Sequence, residues 1–236
     1  HLSIRRQRQM CIRDSLLAAP FELSRVKLSA NWMAACGESG EDAALYRTVE
    51  AVGLELCPAL GISIPVGKDS LSMRTQWKDA DGAARKVTAP VSLIVSAFVT
   101  LADVRGTLTP QLEAESDTTL ILVDLGAGQH RMAGSVLAQA LGQEGTDVPD
   151  LDDPQDLVHL VDAVNALRAQ GKLLAYHDRS DGGLLAAVAE MAFAGHVGVA
   201  LNVDMLITEG DGISDSRMET GDSKNWAQQV LSLIHI

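Results

Sequence analysis

Apolar residues recur at helical and at strand spacing, and these two periods divide the chain. Between Glu41 and Leu60, the residues Ala44, Leu45, Val49, Val52, Leu56 and Leu60 trace one face of a helix. Asp42 falls in its first turn and Gly61 stands where a helix-ending glycine belongs. Val26 to Ala30 and Ile62 to Val66 are short apolar runs that predict strands. Leu71, Met73 and Thr75 alternate with Ser72, Arg74 and Gln76, which predicts a half-buried strand running to about Trp77. Asp79 to Gly82 is a turn between that strand and the next, Arg85 to Ala89. Val91 to Leu101 is nearly all apolar and predicts a central strand. Leu16 to Arg25, broken by Pro20, reads as a helix tail and loop.

The pattern changes from Asp103 to Ser116, where Gly106, Pro110 and mixed polar residues predict a linker between two α/β units. Beyond it, Thr118 to Leu125 predicts a buried strand, Gly126 to Gly128 a turn, and Met132 to Leu141 a helix. An acidic loop from Gly142 to Asp153 leads to Pro154, a first-position helix proline, and a helix running to about Gln170. Leu173 to Tyr176 then predicts a strand, Leu184 to Phe193 a helix closed by Gly195, and Val197 to Val203 a further strand. Thr208 to Lys224 is polar, glycine-rich loop. The result is a mixed α/β (α+β) fold with packed helices and no internal repeat.

Composition narrows the class. With 236 residues, 47% of them apolar, and a mean hydropathy of +0.10, the chain reads as globular. Aromatics make up only 3%, so the core must be aliphatic. A formal charge of −12 excludes a generic nucleic-acid or membrane-surface binder, which needs clustered Lys and Arg. It leaves a nucleotide enzyme open, because Mg²⁺ accompanies such a ligand. Cys11, Cys36 and Cys57 lack paired spacing, which predicts a reducing cytoplasm rather than a disulfide framework. No apolar run approaches the length of a membrane span. Residues 1–15, with four arginines and no period, and residues 231–236 resemble translated adapter read-through and are set aside.

Chemistry concentrates in Tyr176-His177-Asp178-Arg179-Ser180-Asp181-Gly182-Gly183. It lies between a predicted strand and a predicted helix. Backbone N–H groups at a helix start attract anions, and carboxylates suit Mg²⁺. The stretch therefore reads either as a metal–phosphate site or as a helix start with Asp181 as N-cap and the glycines easing the backbone. Gly67-Lys68-Asp69-Ser70 is not a P-loop, since Gly61 lies one residue too far away and Asp69 holds the hydroxyl position. As a turn at the mouth of a strand it either holds phosphate or a substrate hydroxyl, or leaves Lys68 solvated. Gly126-Ala127-Gly128 lacks the third glycine of a dinucleotide loop, and Glu209 to Asp215 lacks the terminal glutamate of a calcium loop. No HExxH, GxSxG or activated cysteine is present.

Several longer strings resemble one family. They are L-S-A-N-W-M-A-A at Leu28 to Ala35, G-E-D-A at Gly40 to Ala43, E-L-C-P-A-L-G at Glu55 to Gly61 and I-P-V-G-K-D-S-L-S-M at Ile64 to Met73. L-T-P-Q-L at Leu108 to Leu112 and L-L-A-Y-H-D-R-S-D-G-G-L at Leu173 to Leu184 follow, then T-E-G-D-G-I-S-D-S-R and K-N-W-A-Q-Q-V. From Leu16 to Val230 the sequence resembles phosphoribosylformylglycinamidine synthase in its large bacterial form.

The resemblance implies a ligase of purine biosynthesis. It implies conversion of formylglycinamide ribonucleotide, glutamine and ATP to formylglycinamidine ribonucleotide, through an iminophosphate displaced by ammonia. It implies two aminoimidazole ribonucleotide synthase-like units, both incomplete: 16–104 ends the N-terminal unit, 105–117 links, and 118–230 begins the C-terminal unit. Asp178 is then the Mg²⁺ ligand and Ser180 a nucleotide contact, with Gly67 and Ser70 as further ATP or ADP contacts and no catalytic residue in the chain. Partner Mg²⁺ ligands, a Glu and an Asn, are expected just before Leu16, where Ser15 stands in the Asn position. The other synthetase half and the glutaminase domain are expected partners, and the chain alone is expected to be inactive. Two alternatives accompany this reading: a non-catalytic module that binds ADP and Mg²⁺, or another ATP enzyme of the aminoimidazole ribonucleotide synthase superfamily. Neither nucleic acid nor membrane is an expected partner.

Overall fold

The structure is a computed structural model that describes residues 16–114, 118–126, 129, 131–143, 145–179 and 182–201. Strand β1 (Lys27–Met33) is the centre of its three-stranded sheet. Its two-residue period becomes two faces: Leu28, Ala30 and Trp32 are buried, and Lys27, Ser29, Asn31 and Met33 lie on the more open side. Strand β2 (Ser63–Ser70) pairs with it in parallel on one side, and β5 (Ser92–Phe98) pairs antiparallel on the other. Between them in sequence, β3 (Arg74–Lys78) and β4 (Ala84–Thr88) form a separate hairpin. Asp79 Oδ1 closes that hairpin by accepting the N–H groups of Asp81 (3.1 Å) and Ala83 (2.8 Å).

A parallel pair needs a crossover, and the helical run after β1 supplies it. Helix α1 (Glu41–Glu50) passes into a π-helical turn over Ala51–Leu56 and ends in the short α2 (Cys57–Ala59). Cys57 is buried, and Thr48, Val52, Leu56 and Leu60 form a buried stripe. They lie four apart, so a 3.6-residue turn would drift about 40° at each step. The wider π turn takes up that drift and moves the buried stripe from Val49, which is exposed, to Thr48. Thr48 is tolerated there because its hydroxyl donates to the Ala44 carbonyl at 2.7 Å.

The predicted strand ending at Val66 continues to Ser70. Three residues of β1, Lys27 to Ser29, span four of β2, Ser63 to Val66, so a bulge surrounds Pro65. An edge strand tolerates a proline, because no neighbour needs its missing N–H. Val91–Leu101 was expected to be central, but β5 is the outer strand of its sheet and leaves Ile94 and Phe98 exposed. The half-buried strand expected around Thr75 is exposed throughout as β3, since the hairpin packs no face against the core cluster.

Three helices follow: α3 (Val136–Ala140), α4 (Pro154–Ala169) and α5 (Gly183–Gly195). The first is shorter than Met132 to Leu141, because Gly134 takes a positive φ and Ser135 restarts the chain as N-cap, accepting from Ala138 N–H at 3.1 Å. In α4, Pro154 occupies the first turn as predicted and Asp153 caps it, accepting from Gln155 N–H at 2.9 Å. Leu157, Val161 and Val164 on α4 join Leu28, Trp32, Leu56 and Leu93 in one core cluster. The predicted strands at 118–125, 173–176 and 197–203 form no ladder among the described residues. Apolar alternation marks a segment fit for a sheet, but a strand also needs a neighbour to accept its hydrogen bonds. No described helix is long and apolar enough to cross a membrane.

Candidate metal and phosphate site

Backbone pairing carries distant segments to the His177–Asp178 turn. Ala18 O accepts the Leu108 N–H at 2.7 Å, and Thr109 O accepts the Tyr176 N–H at 3.0 Å. Tyr176 and Leu173 pack against the core cluster. The residue before His177 is thus held by the same segment that holds the chain at Ala18. Arg168, in the last turn of α4, reinforces the arrangement. Its guanidinium donates to the carbonyls of Leu17 and Ala19 and to Asn165 Oδ1. Asn165 Nδ2 in turn donates to Phe21 O at 2.8 Å. Burial holds the Arg168 pKa below its ordinary value, and Tyr176 acts in the opposite sense.

At the turn, His177 Nε2 lies 2.7 Å from Glu190 Oε2 on α5, and His177 Nδ1 lies 3.4 Å from Asp178 Oδ1. An ionised carboxylate only accepts, so Nε2 carries the hydrogen of the short contact. The His177 and Asp178 side chains are 17% and 25% exposed, against 63% for Glu190. Arg179, 13% exposed, lies 3.5 Å from Asp124 Oδ1, and Asp124 also accepts the Gly126 N–H at 3.1 Å. The Gly126 loop and the His177–Arg179 turn are therefore neighbours. The expected cap residue Asp181 and the expected nucleotide contact Ser180 lie outside the described residues. Gly182 occupies the N-cap of α5 with φ +87°. A Cβ there would come within 2.6 Å of Ala186 Cβ, so glycine is required twice over.

Asp178 fits Mg²⁺ as one hard oxygen ligand. Mg²⁺ keeps several waters and takes one or two carboxylates together with phosphate oxygens. Asp178 is partly open, and a carboxylate offers two acceptor oxygens to a cation. No group of three His, Cys, Asp or Glu side chains able to hold a metal occurs among the described residues. Among the described residues the start of α5 has no side-chain cap hydrogen bond, and helix starts attract phosphate.

Gly67 and Ser70 sit inside β2 rather than in a turn, opposite Ala30 and Met33 of β1. Ser70 Oγ lies 3.3 Å from Lys68 Nζ, and its carbonyl accepts the Ala34 N–H at 2.9 Å. No hydrogen bond among the described residues joins this strand to the His177–Asp178 turn. Sequence reasoning passed over Glu190 and Asp124. Glu190 had a signal: it is the only charged residue between Gly183 and Gly195. The Asp124–Arg179 contact joins residues far apart in sequence and had none.

Comparison with known proteins gives the class. Residues 4–100 match the family described as FGAR-AT PurM_N-like domain, and residues 117–223 match the AIR synthase related protein, C-terminal domain. The chain belongs to the PurM/AIR synthase-related superfamily and consists of domains of its ATP-dependent enzymes. Its N-terminal part is of the FGAR-AT type. Among solved structures it is similar to that of E. coli HypE, a hydrogenase maturation protein, at 16% identity and a TM-score of 0.44, over 90% of this chain and 59% of that one. A second E. coli HypE structure matches at 18% identity and a TM-score of 0.44, over 99% of this chain and 67% of that one. The chain spans about three fifths of the length of the first.

Proposed function

We propose that this chain supplies synthetase segments of a cytoplasmic phosphoribosylformylglycinamidine synthase, the ligase of purine biosynthesis. Its substrates are formylglycinamide ribonucleotide and ATP, with ammonia delivered from glutamine by a glutaminase domain. The observation that carries this reading is the match of residues 4–100 to an FGAR-AT domain, followed in order by an AIR synthase C-terminal domain. The ordered strings from Leu28 to Val230 support the same reading. Residues 16–104 form one synthase-like unit and 118–230 another, joined by 105–117. In this assignment Asp178 contributes a carboxylate to Mg²⁺, and the bound ion neutralises nucleotide phosphate charge. Ser180 and the start of α5 contact the nucleotide, while Gly67 and Ser70 contact phosphate or substrate from β2.

The test is a graft. Leu16 to Val230 replaces the equivalent segment of a complete homologous enzyme, and glutamine- and ATP-dependent formation of formylglycinamidine ribonucleotide is measured. Restored product supports the assignment. A folded, nucleotide-free and inactive chimera refutes it.

A further inference from the structure

We draw no further inference here: the strongest candidate, the open face of the three-stranded sheet, where Val66, Ile94 and Phe98 stand exposed around an Asn31 Oδ1 that is buried without a hydrogen-bond partner among the described residues, is an apolar face with nothing in the structure to show what covers it.

Discussion

Replacing Arg168 by Met should loosen the joint that brings the N-terminal segment and the His177–Asp178 turn together. The guanidinium makes three hydrogen bonds, to Leu17 O, Ala19 O and Asn165 Oδ1. Met conserves much of the aliphatic stem and removes every donor. Two part-buried carbonyls and one amide oxygen then lose a charged partner, at about 1–1.5 kcal/mol each once exchange with water is counted. Part of this is offset, because Arg168 Nε is buried with no hydrogen-bond partner among the described residues, and its desolvation ends with the substitution. The net expectation is a loss of about 2–3 kcal/mol. For a chain of this size that lowers the melting temperature by roughly 4–12 °C. Urea denaturation followed by circular dichroism measures the free energy directly, and Arg168→Lys should fall between the two, since one ammonium reaches fewer of the three acceptors. A Met variant within about 0.5 kcal/mol of the unsubstituted chain, the usual range for surface changes, would refute the clamp.

Three further outcomes follow from local geometry. Gly182→Ala must hold a non-glycine residue at φ +87° and bring its Cβ to 2.6 Å from Ala186 Cβ, so a loss of about 2 kcal/mol or more is expected by thermal unfolding; an unchanged midpoint would refute the backbone placed there. The Lys86 ammonium, hydrogen-bonded to Glu38 at 2.7 Å, holds the Glu38 carboxyl below its ordinary value of 4.5. A depressed carboxyl stabilises the fold above its unfolded pKa and loses that contribution as pH falls through the folded one, so Glu38→Gln should match the unsubstituted chain in strong acid, fall behind as pH rises from the folded pKa toward 4.5, and stay behind by a constant amount above it. Parallel stability–pH curves would contradict this. Burial pushes the Cys57 thiol up, and peptide mass spectrometry after brief iodoacetamide treatment should find it modified only in denaturant; native labelling would show that the core opens there.

The sequence alone determined the parts whose physics is local. The helix after Gly40, its closing Gly61, the Pro154 helix start, the Asp79–Gly82 turn and the apolar runs at β1 and β5 were all legible, because period, caps and turn residues act within a few positions. The polar turn that holds Asp178 and Asp181 stood out for the same reason, and only the family resemblance singled out Asp178 within it. Tertiary structure decided what depends on a neighbour. β5 is an edge strand, although its composition resembles a central one, because position in a sheet belongs to pairing. The bulge at Pro65 carries β2 through Gly67 and Ser70 because β1 offers a continuing ladder. The buried stripe of the long helix shifts to Thr48 because four-residue spacing asks for a π turn. The core takes in α4, and Arg168 ties Leu17 and Ala19 to the approach of His177, through contacts about 150 residues apart in sequence. Glu190 reaches His177 only once α5 folds back beside its own preceding turn. Local pattern marks the polar turn, while the side chains that reach it are chosen by the packing of helices that periodicity cannot place in space.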